Sequence, residues 1–460
     1  MRSIRWSVPF VATLAVALMA VPVSAGHHED PRTRNMRPMG HIVEPASLLD
    51  SSVANVNIHT DIAFWGKYAF QGTWFGFNIR DISSPGNPKQ VSFTECSGNQ
   101  GDIVVWDDIL VRSWNTPAGT AGVFGAGTTC DGQTIPNDPN PVPIAGNFEG
   151  VNVFDISDPT DPALVASVET ECGSHTATGV PDLTNDRLLI YNSSSSALCP
   201  GIDIIEVPLG NPAGANLLGF EPAFRGCHDT SVILGDAMMA ACAGGDGWTL
   251  WSLDPADLDD PDFVASVAVP TVTIGHSAGF TWDGEVLIFG HEPGGGVAAE
   301  CEAADAAEKK SLFFFDPDDA SDDGTAVGTP LGMWTLPRPQ SATENCTVHN
   351  FNVVPLRSDR YVLTQGSYQS GTSVVDFTDL AAPVELGYSD PPPLPVPPGS
   401  PFCAPAGCEL GGVWSSYWYN NFIYETNITE GLNIFRFSGR QTAGALQLDH
   451  LNPQTQEFTH

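Results

Sequence analysis

Positive charge is what this chain of 460 residues has least of. Lys and Arg together number 18 against 54 Asp and Glu, a formal net charge of −36. That shortage argues against sequence-independent nucleic-acid binding, which needs cations to displace counterions, and against anionic membrane surfaces. Charge of either sign is scarce, at 16% of residues where about 25% is usual, so long solvated helices are not expected. The ten Cys include no C-x-x-C pair and form no tight cluster with His, which disfavours structural zinc. After the first 25 residues no apolar run approaches the roughly 20 residues of a membrane-spanning helix. Turn formers, by contrast, are abundant, with 46 Gly and 38 Pro. A hydrophobic fraction of 42% is ample for a core and excludes wholesale disorder.

The N-terminus points to export. Arg2 and Arg5 precede an apolar run from Val8 to Val23, and Val23-Ser24-Ala25 has the small-residue form of a cleavage site. Residues 1–25 therefore read as a secretory signal peptide. A transmembrane anchor is the alternative, weakened by Pro9 and Pro22. The expectation is a secreted protein, extracellular or periplasmic, without membrane insertion and more acidic still once Arg2 and Arg5 are lost. Such acidity with scarce Lys also suits a high-salt habitat. In an exported chain, ten Cys imply disulfides.

A repeat carries the fold. Ile58-His59-Thr60-Asp61-Ile62-Ala63-Phe64, a turn at Gly66-Lys67, Tyr68-Ala69-Phe70-Gln71-Gly72, Phe77-Asn78-Ile79-Arg80-Asp81-Ile82 and the segment through Val91 form one unit. The same order returns from Gly101-Asp102-Ile103 through Gly150-Val151-Asn152-Val153-Phe154-Asp155-Ile156 to Val165. Further units open at His175, His228, His276 and His349, and the last near Gly412-Val413-Trp414, which makes seven. Each unit holds four short runs rich in Val, Ile, Phe and Tyr, too short for helices, with an Asp-x-x-x-Pro turn after the third. Four-stranded sheets that cannot bury both faces alone stack radially, so the chain is expected to be all-β, a seven-bladed β-propeller of four-stranded antiparallel blades; a solenoid is the alternative. The expected division is a signal peptide over 1–25, an N-terminal extension over 26–50, the propeller over 51–440 and a C-terminal tail over 441–460. The Pro-rich stretch from Pro391 to Pro401 reads as a stiff surface loop.

Gly-Val-Asn-Val-Phe-Asp-Ile-Ser-Asp-Pro at 150–159 and Gly-Thr-Ser-Val-Val-Asp-Phe-Thr-Asp at 371–379 resemble the LVIVD repeat of secreted and surface-bound β-propellers. The resemblance runs from about Ile58 to Phe437, with units three to five departing after their third strand. It implies the fold and export, and no established reaction.

Several constellations bear on chemistry. Gly275-His276-Ser277-Ala278-Gly279 matches the G-x-S-x-G elbow of hydrolases, with His349 as a base. The elbow needs a following helix, whereas Phe280 to Ile288 reads as a hairpin with an Asp-Gly turn, so chance within the repeat is favoured. His59, His175, His228, His276 and His349 each start the first strand of a unit, which in a propeller lines the central channel. They are expected at one channel mouth with Asp102 and with His291 and Glu292, which end a second strand. Converging imidazoles suit Cu, Zn or Fe, and the selenium-binding propellers with methanethiol oxidase activity look similar in using channel histidines for copper. The competing reading is a hydrogen-bonding staple repeated in each unit, as in WD-repeat propellers. The carboxylate-dense loop Asp316 to Gly324 suits Ca²⁺, though without EF-hand spacing, and also reads as a solvated acidic turn. Cleavage after Ala25 would expose Gly26-His27-His28, a terminus whose four nitrogens suit square-planar Cu(II).

Topology also assigns the disulfides, because links entering a first strand and loops joining strands two and three lie on one face. Pairing neighbours there gives Cys96–Cys130, Cys172–Cys199, Cys227–Cys242, Cys301–Cys346 and Cys403–Cys408. Functionally, the sequence points to a binding or interaction scaffold with a small-molecule or protein ligand, or a metal, at the channel mouth. The competing class is a copper-type oxidoreductase. No cofactor is fixed beyond Cu or Zn and Ca²⁺ as candidates.

Overall fold

Runs of four to eight β-branched and aromatic residues closed by Gly and Asp turns pair locally, each with the next along the chain. In the computed structural model, which describes residues 30–42, 58–120, 125–135, 146–293, 295, 300–319, 326–391, 394–395 and 409–460, they form seven antiparallel sheets in a ring, a seven-bladed β-propeller. Blades 1 to 6 span residues 59–95, 103–169, 176–222, 229–268, 275–335 and 351–389. Residues 1–28, Cys403, Cys408 and the second half of the 316–324 loop lie outside the described residues.

Stacking decides the ring. One apolar cluster joins Phe70, Phe77 and Ile79 of blade 1 to Val105, Leu110 and Phe154 of blade 2, and another joins Ile288 and Phe314 of blade 5 to Leu363 and Phe377 of blade 6. Each sheet thus buries both faces only with neighbours on both sides. The Gly that opens a third strand is required by this packing: Gly76 and Gly150 adopt φ +153° and +148°, and a Cβ there would lie about 2 Å from the Thr94 or Val168 carbonyl oxygen of the outer strand. The Asp that ends the strand makes the expected turn. Asp81, Asp155 and Asp376 each accept a hydrogen bond from the backbone N–H two residues on, at 2.9, 2.9 and 3.0 Å.

Blade 7 departs from the expected division. Its inner three strands are Val413–Tyr419, Phe422–Asn427 and Gly431–Phe437, but its outer strand is Met36–Ile42, from the segment expected to be an extension. Arg37 pairs with Arg436 and His41 with Asn433, so the two ends of the chain close the ring. The expected C-terminal tail likewise belongs to the propeller. Residues 450–451 add to the inner edge of blade 1, 455–456 run parallel to Asp229–Ile233 of blade 4, and Asn452 bonds to Val105 of blade 2. The tail therefore fills the end of the channel away from the strand-opening histidines.

Four of the five expected disulfides are present: Cys96–Cys130, Cys172–Cys199, Cys227–Cys242 and Cys301–Cys346. Among the described residues no helix is long and apolar enough to cross a membrane.

Candidate metal centre in the channel

Inner strands begin at one end of the channel, so the residue that opens each unit is carried to that mouth. His175, His228, His276 and His349, from blades 3 to 6, form an arc of rings in contact, with successive centroids 4.3, 4.2 and 4.1 Å apart. The arc ends against Tyr368 and Trp414, at 4.5 and 4.8 Å from the His349 ring. Glu292 comes from the link after the second strand of blade 5 and stands over it. Its Oε2 is 3.8 Å from His276 Nε2, its Oε1 is 3.8 Å from His349 Nε2, and Tyr368 donates its hydroxyl to Oε1 at 2.6 Å.

The ring nitrogens are sorted by their partners. His228 Nδ1 lies 2.9 Å from Asp229 Oδ1, and His276 Nδ1 lies 3.7 Å from Asp229 Oδ2. His349 Nδ1 donates to the Trp414 carbonyl at 2.5 Å. With Nδ1 of His228, His276 and His349 turned to an oxygen, Nε2 is the lone-pair nitrogen of these rings, and at His276 and His349 it faces Glu292. Ligand atoms of His228, His276 and Glu292 fall within 4.8 Å of one another.

Burial sets the protonation states. Desolvation lowers His228 and His349 to about 3, with the Trp414 carbonyl opposing it at His349, and holds His175 and His276 well below the ordinary value. All four are therefore neutral imidazoles near pH 7. Burial pushes Glu292 up to about 8 against the Tyr368 hydrogen bond, and raises Asp229 well above the usual range, with Asp61 adding to it. Among the described residues no Arg or Lys contributes to either shift. A group of neutral imidazoles and carboxyls whose shifts no basic side chain opposes is suited to a cation.

Three residues expected at this mouth make their contacts outside the arc of rings. His59 is buried within blade 1, where desolvation and Arg80 of the third strand lower its pKa, and none of the other histidines contributes. His291 and Glu292 are consecutive and point to opposite sides of the chain: the His291 ring accepts from the Thr273 N–H at 3.2 Å and contacts the Glu308 carbonyl at 3.1 Å, a staple within blade 5. Asp102 ties blades 2 and 3, accepting from the amides of Ile103 and Ala177 at 2.8 and 2.7 Å.

The sequence argument did not single out Asp61, Asp229, Tyr368 and Tyr417. Asp61 bonds Asp102, the Tyr417 hydroxyl and Gln454 of the tail in mid-channel. Asp229 was within reach, because His228-Asp229-Thr230 aligns with Gly101-Asp102-Ile103. Tyr368 carries no signal in the repeat. The G-x-S-x-G match lies on the strand Gly275–Phe280, with Leu287–His291 following as a second strand, and Ser277 donates to the His349 carbonyl at 2.9 Å. No nucleophile elbow is built there. In the acidic loop, Asp316 accepts from the Asp318 amide at 2.9 Å in a short turn.

The LVIVD repeat family matches residues 59–93 and 144–170, in blades 1 and 2. No curated protein matches the chain. Among solved structures, the computationally designed protein Ika8 is similar over 83% of this chain and 96% of its own, with 10% identity and a TM-score of 0.41. That likeness is too weak to carry an argument.

Proposed function

We propose that this seven-bladed β-propeller, with LVIVD repeats at 59–93 and 144–170, is a secreted scaffold that binds one transition-metal ion at the histidine mouth of its channel. The observation that carries the reading is the grouping of His228, His276 and Glu292, with ligand atoms within 4.8 Å of one another, His276 and Glu292 buried and the His228 side chain 12% exposed. Ligands of a tetrahedral ion with bonds of 2.0–2.1 Å sit about 3.4 Å apart, and the 3.8 Å gaps beside Glu292 need little contraction. Two imidazoles with a carboxylate select Zn²⁺ or Cu²⁺ over Ca²⁺, which takes oxygen ligands. His349 Nε2 stands ready as a fourth ligand or, left out, leaves a position open to a ligand arriving over the mouth. Four disulfides are consistent with an oxidising compartment.

Metal content after loading with Zn²⁺ or Cu²⁺ and dialysis tests this. The wild-type chain is expected to retain one equivalent that the His228→Ala/His276→Ala double variant does not. Equal retention by both sinks the reading. A copper-type oxidoreductase is the second reading, and its support is Tyr368, an oxidisable phenol hydrogen-bonded to Glu292 beside His349. It requires the bound copper to cycle, so a Cu(II) spectrum that ascorbate leaves intact removes it.

A further inference from the structure

Asp229 opens the inner strand of blade 4 and is 4% exposed. Its mount is rigid. The Cys227–Cys242 disulfide anchors the chain two residues earlier, and the Thr176 hydroxyl of blade 3 donates to the adjacent His228 carbonyl at 2.6 Å. Its strand is held at the far end by residues 455–456 of the tail. The two carboxyl oxygens address two imidazoles from different blades: Oδ1 lies 2.9 Å from His228 Nδ1, and Oδ2 lies 3.7 Å from His276 Nδ1. The His276 nitrogen is buried and has no hydrogen-bond partner, and Oδ2 is the acceptor that faces it. Asp102 holds the matching place in blade 2, yet its oxygens accept two backbone amides. At Asp229 imidazoles replace the amides, and those two imidazoles, His228 and His276, are the ones grouped with Glu292.

We infer that Asp229 is the positioning residue of this centre, one carboxylate that sets the tautomer and aim of His228 and His276 together so that both present Nε2 to the same ion. The inference rests on the metal reading above. Ligating histidines commonly donate their second N–H to a carboxylate, and loss of that partner costs about 10- to 100-fold in metal affinity. One carboxylate serving two ligands couples them. The His228 arm is formed at 2.9 Å, and the His276 arm, at 3.7 Å, needs Asp229 and that ring to close by several tenths of an ångström.

A carboxamide breaks this coupling in a way a merely structural role does not. Asn carries one acceptor oxygen and one NH₂, so in Asp229→Asn one imidazole keeps its acceptor while the other meets a donor. The second ring must then carry its proton on Nε2, where it cannot bind metal. Titration with Cu²⁺ is expected to show affinity about 10- to 100-fold below wild type, and the Cu(II) paramagnetic resonance spectrum to show one fewer coupled nitrogen. A variant that binds with wild-type affinity and nitrogen count overturns the positioning role while leaving the metal reading intact. A wild-type chain that binds no copper overturns the metal reading itself. Where the variant does not fold, nitrogen-15 spectra of histidine in the zinc-loaded wild-type protein decide the point: Nδ1–H on both His228 and His276 supports the role, and Nε2–H on either removes it.

Discussion

Asn452, near the end of the chain, pairs with Val105 of blade 2 as a strand would: its Nδ2 donates to the Val105 carbonyl at 2.8 Å and its Oδ1 accepts the Val105 amide at 2.9 Å. The side chain thereby satisfies both backbone groups on the inner edge of a blade, where no strand reaches. Asn452→Ala would leave a buried N–H and C=O without partners, and we expect a loss of about 2 kcal/mol in urea unfolding. An unchanged midpoint would show that Val105 does not depend on the tail.

Ring closure depends on Met36–Ile42. Without it Gly431–Phe437 becomes an exposed edge, a template for pairing with other chains. A chain lacking residues 30–42 is expected to melt at lower temperature and to self-associate, as read by calorimetry and light scattering. A monomer with wild-type melting would contradict that role for the strand.

Glu425, buried in blade 7, accepts from Thr372 of blade 6 at 2.6 Å and from Asn433 at 2.8 Å, and burial pushes it up to about 8. Between its unfolded value near 4.5 and about 8 the folded chain holds a proton that the unfolded chain has lost. Stability at this position is therefore greatest below pH 4.5 and falls as pH rises through that window. Glu425→Gln keeps the shape and removes the titration, so the variant is expected to gain on wild type as pH goes from 5 to 8. A difference in unfolding free energy that stays flat over that range would count against it.

With −36 formal charges, self-repulsion opposes the compact state at low ionic strength and is screened over about 10 Å at 0.1 M salt. The melting temperature is expected to rise over the first few hundred millimolar NaCl. A fall would show that attractive pairs such as Arg187 with Asp182 and Glu206 outweigh the repulsion.

The sequence by itself determined the strands of blades 1 to 6, the four described disulfides and four of the five histidines it placed at one mouth. All three follow from local order: each strand pairs with its neighbour in the chain, each bridge links nearby loops, and one residue per unit is carried to the same mouth. Tertiary structure decided the rest. The partnership of Met36–Ile42 with Gly431–Phe437 and the course of the tail through the channel join segments hundreds of residues apart, where no periodicity reports pairing. In blade 1 the register shifts between His59 and Ile62, and this bulge breaks the two-residue alternation by which a strand position foretells its face. Hence Asp61 reaches the channel while His59 remains inside its blade. Likewise Glu292, Asp229 and Tyr368 lie at a strand's end, a strand's start and a loop, and only the closing of the ring brings their side chains to the histidines.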